Sequence, residues 1–253
     1  MNPISEYDQI TLPTQGGKGV RVAVVDSGIN PHHSHVRGVS GGTYIRQVEG
    51  GTIECDNDHL DMLGHGTAVA GIIRAKAPEA ELYSVKVFDR ELRTHAPVIA
   101  AAIRWAVENK MDVINVSLGT SDKAHAELLW SACCEADARG LILVAATEPG
   151  SNEMYPATFT NVIAVAGDEN CGWDEHYYEP GAPDLFRAHP SPRPLPGRPQ
   201  CRNLKGHSFA AAHITALAAK LRGENPLFRR EKIIQLLVGK ATPASEFAVR
   251  WSG

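Results

Sequence analysis

Residues 20–30 read VRVAVVDSGIN, and that stretch decides the fold. Its first half, 20–25 (VRVAVV), is an apolar run of strand length, as expected for a strand buried on both faces. The run ends on Asp26, and Gly28 supplies a tight turn just beyond it. Working outward, residues 81–87 (ELYSVKV), 113–118 (VINVSL), 141–146 (LILVAA) and 162–166 (VIAVA) read as further strands. Between them Val98, Ile99, Ala102, Ile103, Ala106 and Val107 recur at helical spacing, so 97–109 is expected to be a helix with one apolar stripe. Further helices are expected from about His65, over 124–138 with a stop at Arg139 and Gly140, and near 208–222 and 230–238. Strands alternating with helices imply an α/β fold, a mainly parallel sheet with helices on both faces. With no internal repeat and no boundary signal, residues 1–253 are read as a single domain.

Composition narrows the function classes. Hydrophobic residues make up 43% and charged residues 21% of the 253, which is ordinary for a globular chain. A formal net charge of −4 offers no basic footprint for nucleic acid and no polybasic stretch for a membrane surface. No apolar run approaches the roughly 20 residues that span a bilayer. The beginning, MNPISEYDQITLP, is acidic and polar where a signal peptide would be basic and then apolar. The five cysteines form no CxxC pair, so unpaired thiols in a reducing, cytoplasmic setting are expected. Residues 180–199 hold seven prolines with Arg187, Arg193 and Arg198. A long surface loop is the favoured reading there, and a Pro-rich partner ligand the alternative.

Three segments place reactive side chains where strands end and helices begin, the edge at which open parallel sheets gather functional groups. VAVVDSGIN ends a strand on Asp26. GHGTAVAGII sets His65 between two glycines at a helix start. GHSFAAAHITALAA puts Ser208 at the head of an Ala-rich helix, whose N-terminus favours developing negative charge. A serine hydroxyl is too weak an acid to attack unaided, so it needs a neighbouring base.

These segments resemble, in chain order, the three signature blocks of subtilisin-like serine proteases. MDVINVSLG (111–119), YPATFTNVIAVAG (155–167) and the Pro180, Gly181 pair also sit in family order, and the resemblance covers about residues 16–221. It implies a three-layer subtilisin-like fold and a serine endopeptidase acting through an acyl-enzyme. Ser208 would be the nucleophile, His65 the base and acid, and Asp26 the group that orients the imidazole. An extended peptide or protein substrate would lie beside Ser117, Leu118 and Gly119, with Gly119 leaving room for its close approach. Met154 would form the floor of the main specificity pocket and make it shallow.

The sequence departs from the family in several places. Glu148 stands where the family carries an Asn that donates to the oxyanion. A carboxylate cannot donate, so either Glu148 is held protonated, or it points away and the Ser208 backbone N–H serves with Asn152 or another donor. His207, Phe209 and Ala212 replace Thr, Met and Pro around the nucleophile, while His213 is retained. His207 is read as a packing or surface residue, with a polar role in the cleft as the alternative. Ala68 replaces a second His that lies outside the triad. His35 aligns with an aspartate of a common family calcium site, so no cofactor is expected and calcium finds no support. His32, His33 and His35 are read as solvated loop histidines rather than metal ligands. About nineteen residues precede the first strand. Either a pro-segment has been removed or the enzyme folds without one, and the cytoplasmic reading favours the second. A particular peptide or protein precursor is the expected substrate, with no nucleic-acid or membrane partner, and the oligomeric state stays open. Two alternatives stand beside it: a peptide ligase or cyclase using the same acyl-enzyme, and a non-catalytic relative that kept the cleft to bind peptides.

Overall fold

The computed structural model describes residues 15–150, 153–181 and 183–243. In chain order the strands are β1 (Arg21–Asp26), β2 (Gly41–Gln47), β3 (Ile53–Asp56), β4 (Glu81–Lys86), β5 (Val113–Val116), β6 (Ile142–Ala146), β7 (Ile163–Gly167), β8 (His176–Glu179) and β9 (Leu185–Ala188). The helices are α1 (His65–Lys76), α2 (Ala96–Glu108), α3 (Ala126–Ala138), α4 (His207–Glu224) and α5 (Arg230–Lys240). The nine strands among the described residues form one sheet in the order β3-β2-β4-β1-β5-β6-β7-β9-β8. Pairing is parallel from β2 across to β9, and β3 and β8 are antiparallel edge strands.

The alternation of side chains along each central strand makes the layers. Val22 and Val24 of β1, with Val113, Ile142, Val144, Ile163 and Val165, face α1, α4 and α5. Their neighbours Ala23, Val25, Ile114, Val116, Leu143, Ala145 and Ala164 face α2 and α3. Each fully buried Val, Leu or Ile contributes about 1.5–3 kcal/mol, whereas an exposed ion pair such as Arg46–Glu54 contributes about 0–1 kcal/mol. The two apolar layers, not the surface charges, hold the sheet together. Helix α4 is buried along most of its length. Its alanines allow it to pack closely on β5, β6, β7 and α1.

The chain leaves β1 to build β2 and β3, returns to β4 on one side of β1, then crosses to β5 on the other. Asp26 therefore ends the strand at which the winding reverses, where clefts form in open α/β sheets. The stretch 180–199, expected to be a surface loop, contains β9, which pairs in parallel with β7. Its Phe186 is fully buried, so packing overrides the local proline content.

Candidate active site

Close backbone approach builds the first half of the site. Gly28 has φ +101°, and a Cβ there would meet the His59 carbonyl oxygen at 2.6 Å. A Cβ at Gly66 would meet the Gly28 carbonyl oxygen at 2.2 Å and the Asp26 Cβ at 3.0 Å. Only glycines let the start of α1 lie flush against the end of β1. That contact brings His65 Nδ1 to 2.7 Å from Asp26 Oδ1. The Ser27 N–H donates to the same oxygen at 2.7 Å. Asp26 is wholly buried, and its Oδ2 has no hydrogen-bond partner. Burial of that charge beside the imidazole strengthens their interaction. Burial pulls the His65 pKa down, but the charge and hydrogen bond of Asp26, aided by Asp61, outweigh it and leave the pKa above its ordinary value. Phe209 packs on the ring at 5.0 Å between centroids.

Asp61 was not singled out by the sequence. Its Oδ1 accepts from the Ser27 hydroxyl and from the Leu63 and Gly64 N–H groups, each at 2.9 Å. Its Oδ2 accepts from the Thr67 N–H at 2.9 Å and the Thr67 hydroxyl at 2.5 Å. Gly64, the N-cap of α1, has no side chain to satisfy the first turn. Asp61 does that work from outside the helix. It also holds Ser27, whose hydroxyl accepts the Gly66 N–H at 2.9 Å. The available signal was an Asp two and three residues ahead of Leu63 and Gly64, the Asx-turn spacing. It stood among Asp56 and Asp58, which nothing local distinguishes from it.

Ser208 is the second residue of α4, and its hydroxyl donates to the Ser117 carbonyl at 2.9 Å. It makes no hydrogen bond to His65 in this arrangement, although both line one cleft of about 280 Å³. Ser117, Leu118, Gly119, Met154, Glu148 and His207 line the same cleft. A second cavity of about 520 Å³ continues it along Leu118, Gly119 and Thr120 towards Tyr44 and Arg46. Together they form an open groove over the α2 side of the sheet. The Asn115 amide donates to the Ser117 hydroxyl at 2.8 Å, and its Oδ1 accepts from Thr215 of α4 at 2.9 Å. This buried chain fixes the groove wall to the helix that carries Ser208.

Within the fold, Gly119 also has a structural reason. A Cβ there would meet the Tyr155 carbonyl oxygen at 2.7 Å and Met154 Sδ at 2.9 Å. Thr120 and Tyr155 pair across the groove floor through N–H···O bonds of 2.9 and 2.8 Å. The glycine makes room for the chain itself.

On the oxyanion side, Glu148 is solvent-exposed and lines the cleft. Asn152 lies outside the described residues. His207 is neither a surface residue nor simple packing. It lines the cleft, and its Nδ1 accepts the Gly167 N–H at 2.9 Å. A backbone N–H can only donate, so the ring proton resides on Nε2, leaving Nε2–H as a free donor. Burial lowers the His207 pKa against the opposing pull of Glu148, with a smaller push in the same direction from Arg187, and this favours the neutral ring.

The loop histidines are also not fully solvated. His33 and His35 are half-buried, their rings lie 4.9 Å apart, and His35 packs against Gly71 of α1. A histidine packed there offers no oxygen to a calcium ion. Among the described residues no group of three or more His, Cys, Asp or Glu is placed to hold a metal.

Known proteins match this chain over most of its length. The thermostable alkaline protease of Halalkalibacterium halodurans is 33% identical over 240 residues, 89% of this chain and 63% of that protein. Subtilisin BL of Lederbergia lenta is 31% identical over 249 residues, 94% and 88% of the two chains. The minor extracellular protease Epr of Bacillus subtilis is 35% identical over 162 residues, and the match spans 23% of Epr. Among solved structures, a cold adapted subtilisin-like serine proteinase superposes with a TM-score of 0.70 at 22% identity, covering 94% of this chain and 92% of its own. Sphericase does so with a TM-score of 0.71 at 26% identity, covering 92% and 86%. These two share the three-layer α/β fold seen here. The profile of the subtilase family matches residues 17–251, and the chain belongs to that family.

Proposed function

We propose that the protein is a serine endopeptidase that cuts an extended peptide or protein segment through an acyl-enzyme. The observation that carries this reading is the 2.7 Å contact of His65 Nδ1 with buried Asp26, in the cleft that also holds Ser208. With Nδ1–H directed at Asp26, the lone pair of His65 is on Nε2. Ser208 turns about χ1 from the Ser117 carbonyl towards that nitrogen. Its proton passes to Nε2 as Oγ bonds to the scissile carbonyl carbon, and the carbonyl oxygen takes the negative charge. The imidazolium is stabilised by Asp26. It returns the proton to the leaving nitrogen as the C–N bond breaks. Water, deprotonated by the same ring, then releases the acyl group.

The vacated Ser117 carbonyl becomes free to accept an N–H from a substrate lying along the groove. Two donors face the developing oxyanion in this reading: the Ser208 backbone N–H at the head of α4, and His207 Nε2–H in place of the missing Asn. Met154 crowds the pocket and favours small or medium side chains at the cleaved residue. The five cysteines, all free, support a reducing compartment, unlike the setting in the name of Epr. That in turn supports a restricted, precursor-directed substrate.

A peptide library with wild-type protein and Ser208→Ala tests the reading. Internal cuts by wild type alone, after small or medium residues, are expected. Binding without cleavage would replace the enzyme with a peptide-binding relative.

A further inference from the structure

On the other side of the His65 turn lies a separate pocket of about 280 Å³, bordered by Arg193, Arg198, His33, His35, Asn30 and Asp61. We propose that this pocket binds a carboxylate on the leaving-group segment of the substrate, through Arg193 and Arg198. The proposal rests on the endopeptidase reading, because it needs a leaving-group segment.

The position of the pocket follows from the layers. The groove along Leu118 and Gly119 runs over α2 and is lined by Val87, Phe88 and Ala96, which belong to the apolar layer on that face. The second pocket shares none of its residues. It sits on the α1 and α4 face, at Leu63, Gly64, Thr67 and Ala68. Gly64 immediately precedes His65, and Leu204, also on its wall, lies just before Ser208 in sequence. A chain whose acyl half occupies the groove passes His65 and Ser208 and emerges beside this pocket.

Its wall carries positive charge. Arg46, Arg104, Arg187, Arg222 and Arg230 each lie within 4.0 Å of a carboxylate, whereas Arg74 is bonded to backbone carbonyls instead. Neither Arg193 nor Arg198 has a carboxylate partner among the described residues. Arg37, close enough to act on Arg193, donates only to the Ser34 carbonyl. The single acid on the wall, Asp61, already accepts five hydrogen bonds. On a chain of net charge −4, two cations on the wall, with Arg37 near Arg193, outnumber that one acid.

The pocket is also pre-built. Asn203 Nδ2 donates to the Arg193 carbonyl at 3.1 Å, and Gln200 Nε2 to the Pro192 carbonyl at 2.8 Å. These bonds pin the turn that presents the half-buried Arg193. Burial first, then Arg193, His33 and Arg37, push the His35 pKa down to about 4, so it stays neutral beside the cations. Arg193 is half-buried and Arg198 exposed, and a carboxylate matches the planar fork of a guanidinium. Two sources offer that group: an Asp or Glu side chain a few residues past the cut, or a free C-terminus.

The test uses one acyl half with three leaving-group halves: neutral and amidated, Glu-containing and amidated, and neutral with a free C-terminus. One acidic form should show about tenfold higher kcat/KM than the neutral one, the scale of a charge-assisted hydrogen bond. Which form wins identifies the source. The ratio should fall towards one in the Arg193→Gln/Arg198→Gln double variant, recover in Arg193→Lys, and shrink at high salt. Fluorescence anisotropy of the same peptides on Ser208→Ala reads the preference without turnover. Equal affinity and equal kcat/KM for all three would overturn the proposal. Carboxylate-selective binding without cleavage would overturn the peptidase reading and leave the pocket standing.

Discussion

The two sides of Ser208 are held by different means. On the His65 side, Asp26, Ser27, Asp61 and Thr67 interlock through hydrogen bonds, and two glycines allow backbones to touch. On the oxyanion side an exposed carboxylate stands on the cleft wall, and a single backbone bond orients His207. Proton transfer demands sub-ångström placement of a base and its partner. A hydrogen-bond donor to an oxyanion can come from any group of the right polarity nearby. The first side is therefore tightly constrained, while the second admits a different residue type.

The largest expected effect breaks the constrained side. Ser208→Ala and His65→Ala should each lower kcat on the order of 10⁶-fold, with the double variant little worse, since the residues act as a unit. Additive losses in the double variant would show that His65 works independently of Ser208. The oxyanion side should give less. His207→Phe keeps the ring and removes the donor, so kcat should fall by roughly 10²–10³ with KM little changed. In contrast, Glu148→Gln should change kcat by less than about threefold, because its carboxylate makes no hydrogen bond among the described residues and is not the donor in this reading. A full rate in His207→Phe would return the oxyanion to the backbone N–H alone.

Asp61→Ala sharpens the comparison at the smallest scale. Losing the cap of α1 should cost about 1–2 kcal/mol of stability, read by urea denaturation. It should also shift the acid limb of the kcat/KM profile downwards, because Asp61 helps raise the His65 pKa. Unchanged stability and an unchanged limb would deny Asp61 both roles.

What was legible in the sequence tracks how local each cause is. The strand of residues 20–25 and the Ala-rich α4 announced themselves through short-range pattern. Asp26, His65 and Ser208 followed, because each sits where an element begins or ends. The four outer strands β2, β3, β8 and β9 were not legible. They are short, carry polar residues such as Arg46, Glu54 and Arg187, and owe their form to partners far away in the chain. The Gly167–His207 bond spans 40 residues, and no periodicity encodes it. Gly119 was visible as a glycine, but which backbone crowds it depends on how residues 154 and 155 fold back. Asp61 was hidden among neighbouring acids until the turn around it was seen.

The central claim is that the buried Asp26 charge makes His65 the base for Ser208, and its most direct test is the rate of fluorophosphonate inactivation against pH. A net-raised histidine pKa keeps the ring protonated, and unable to accept a proton, to a higher pH than a free imidazole. The sign for stability follows: the coupling stabilises the fold fully below about 6.5 and is lost as pH rises through the higher folded value. The adduct should form on Ser208 alone, and its rate should climb along one acid limb with a midpoint above about 6.5. In Asp26→Asn the rate should drop by about 10⁴ and the midpoint should move down. An adduct on another residue, or a limb that Asp26→Asn leaves in place, would contradict the account.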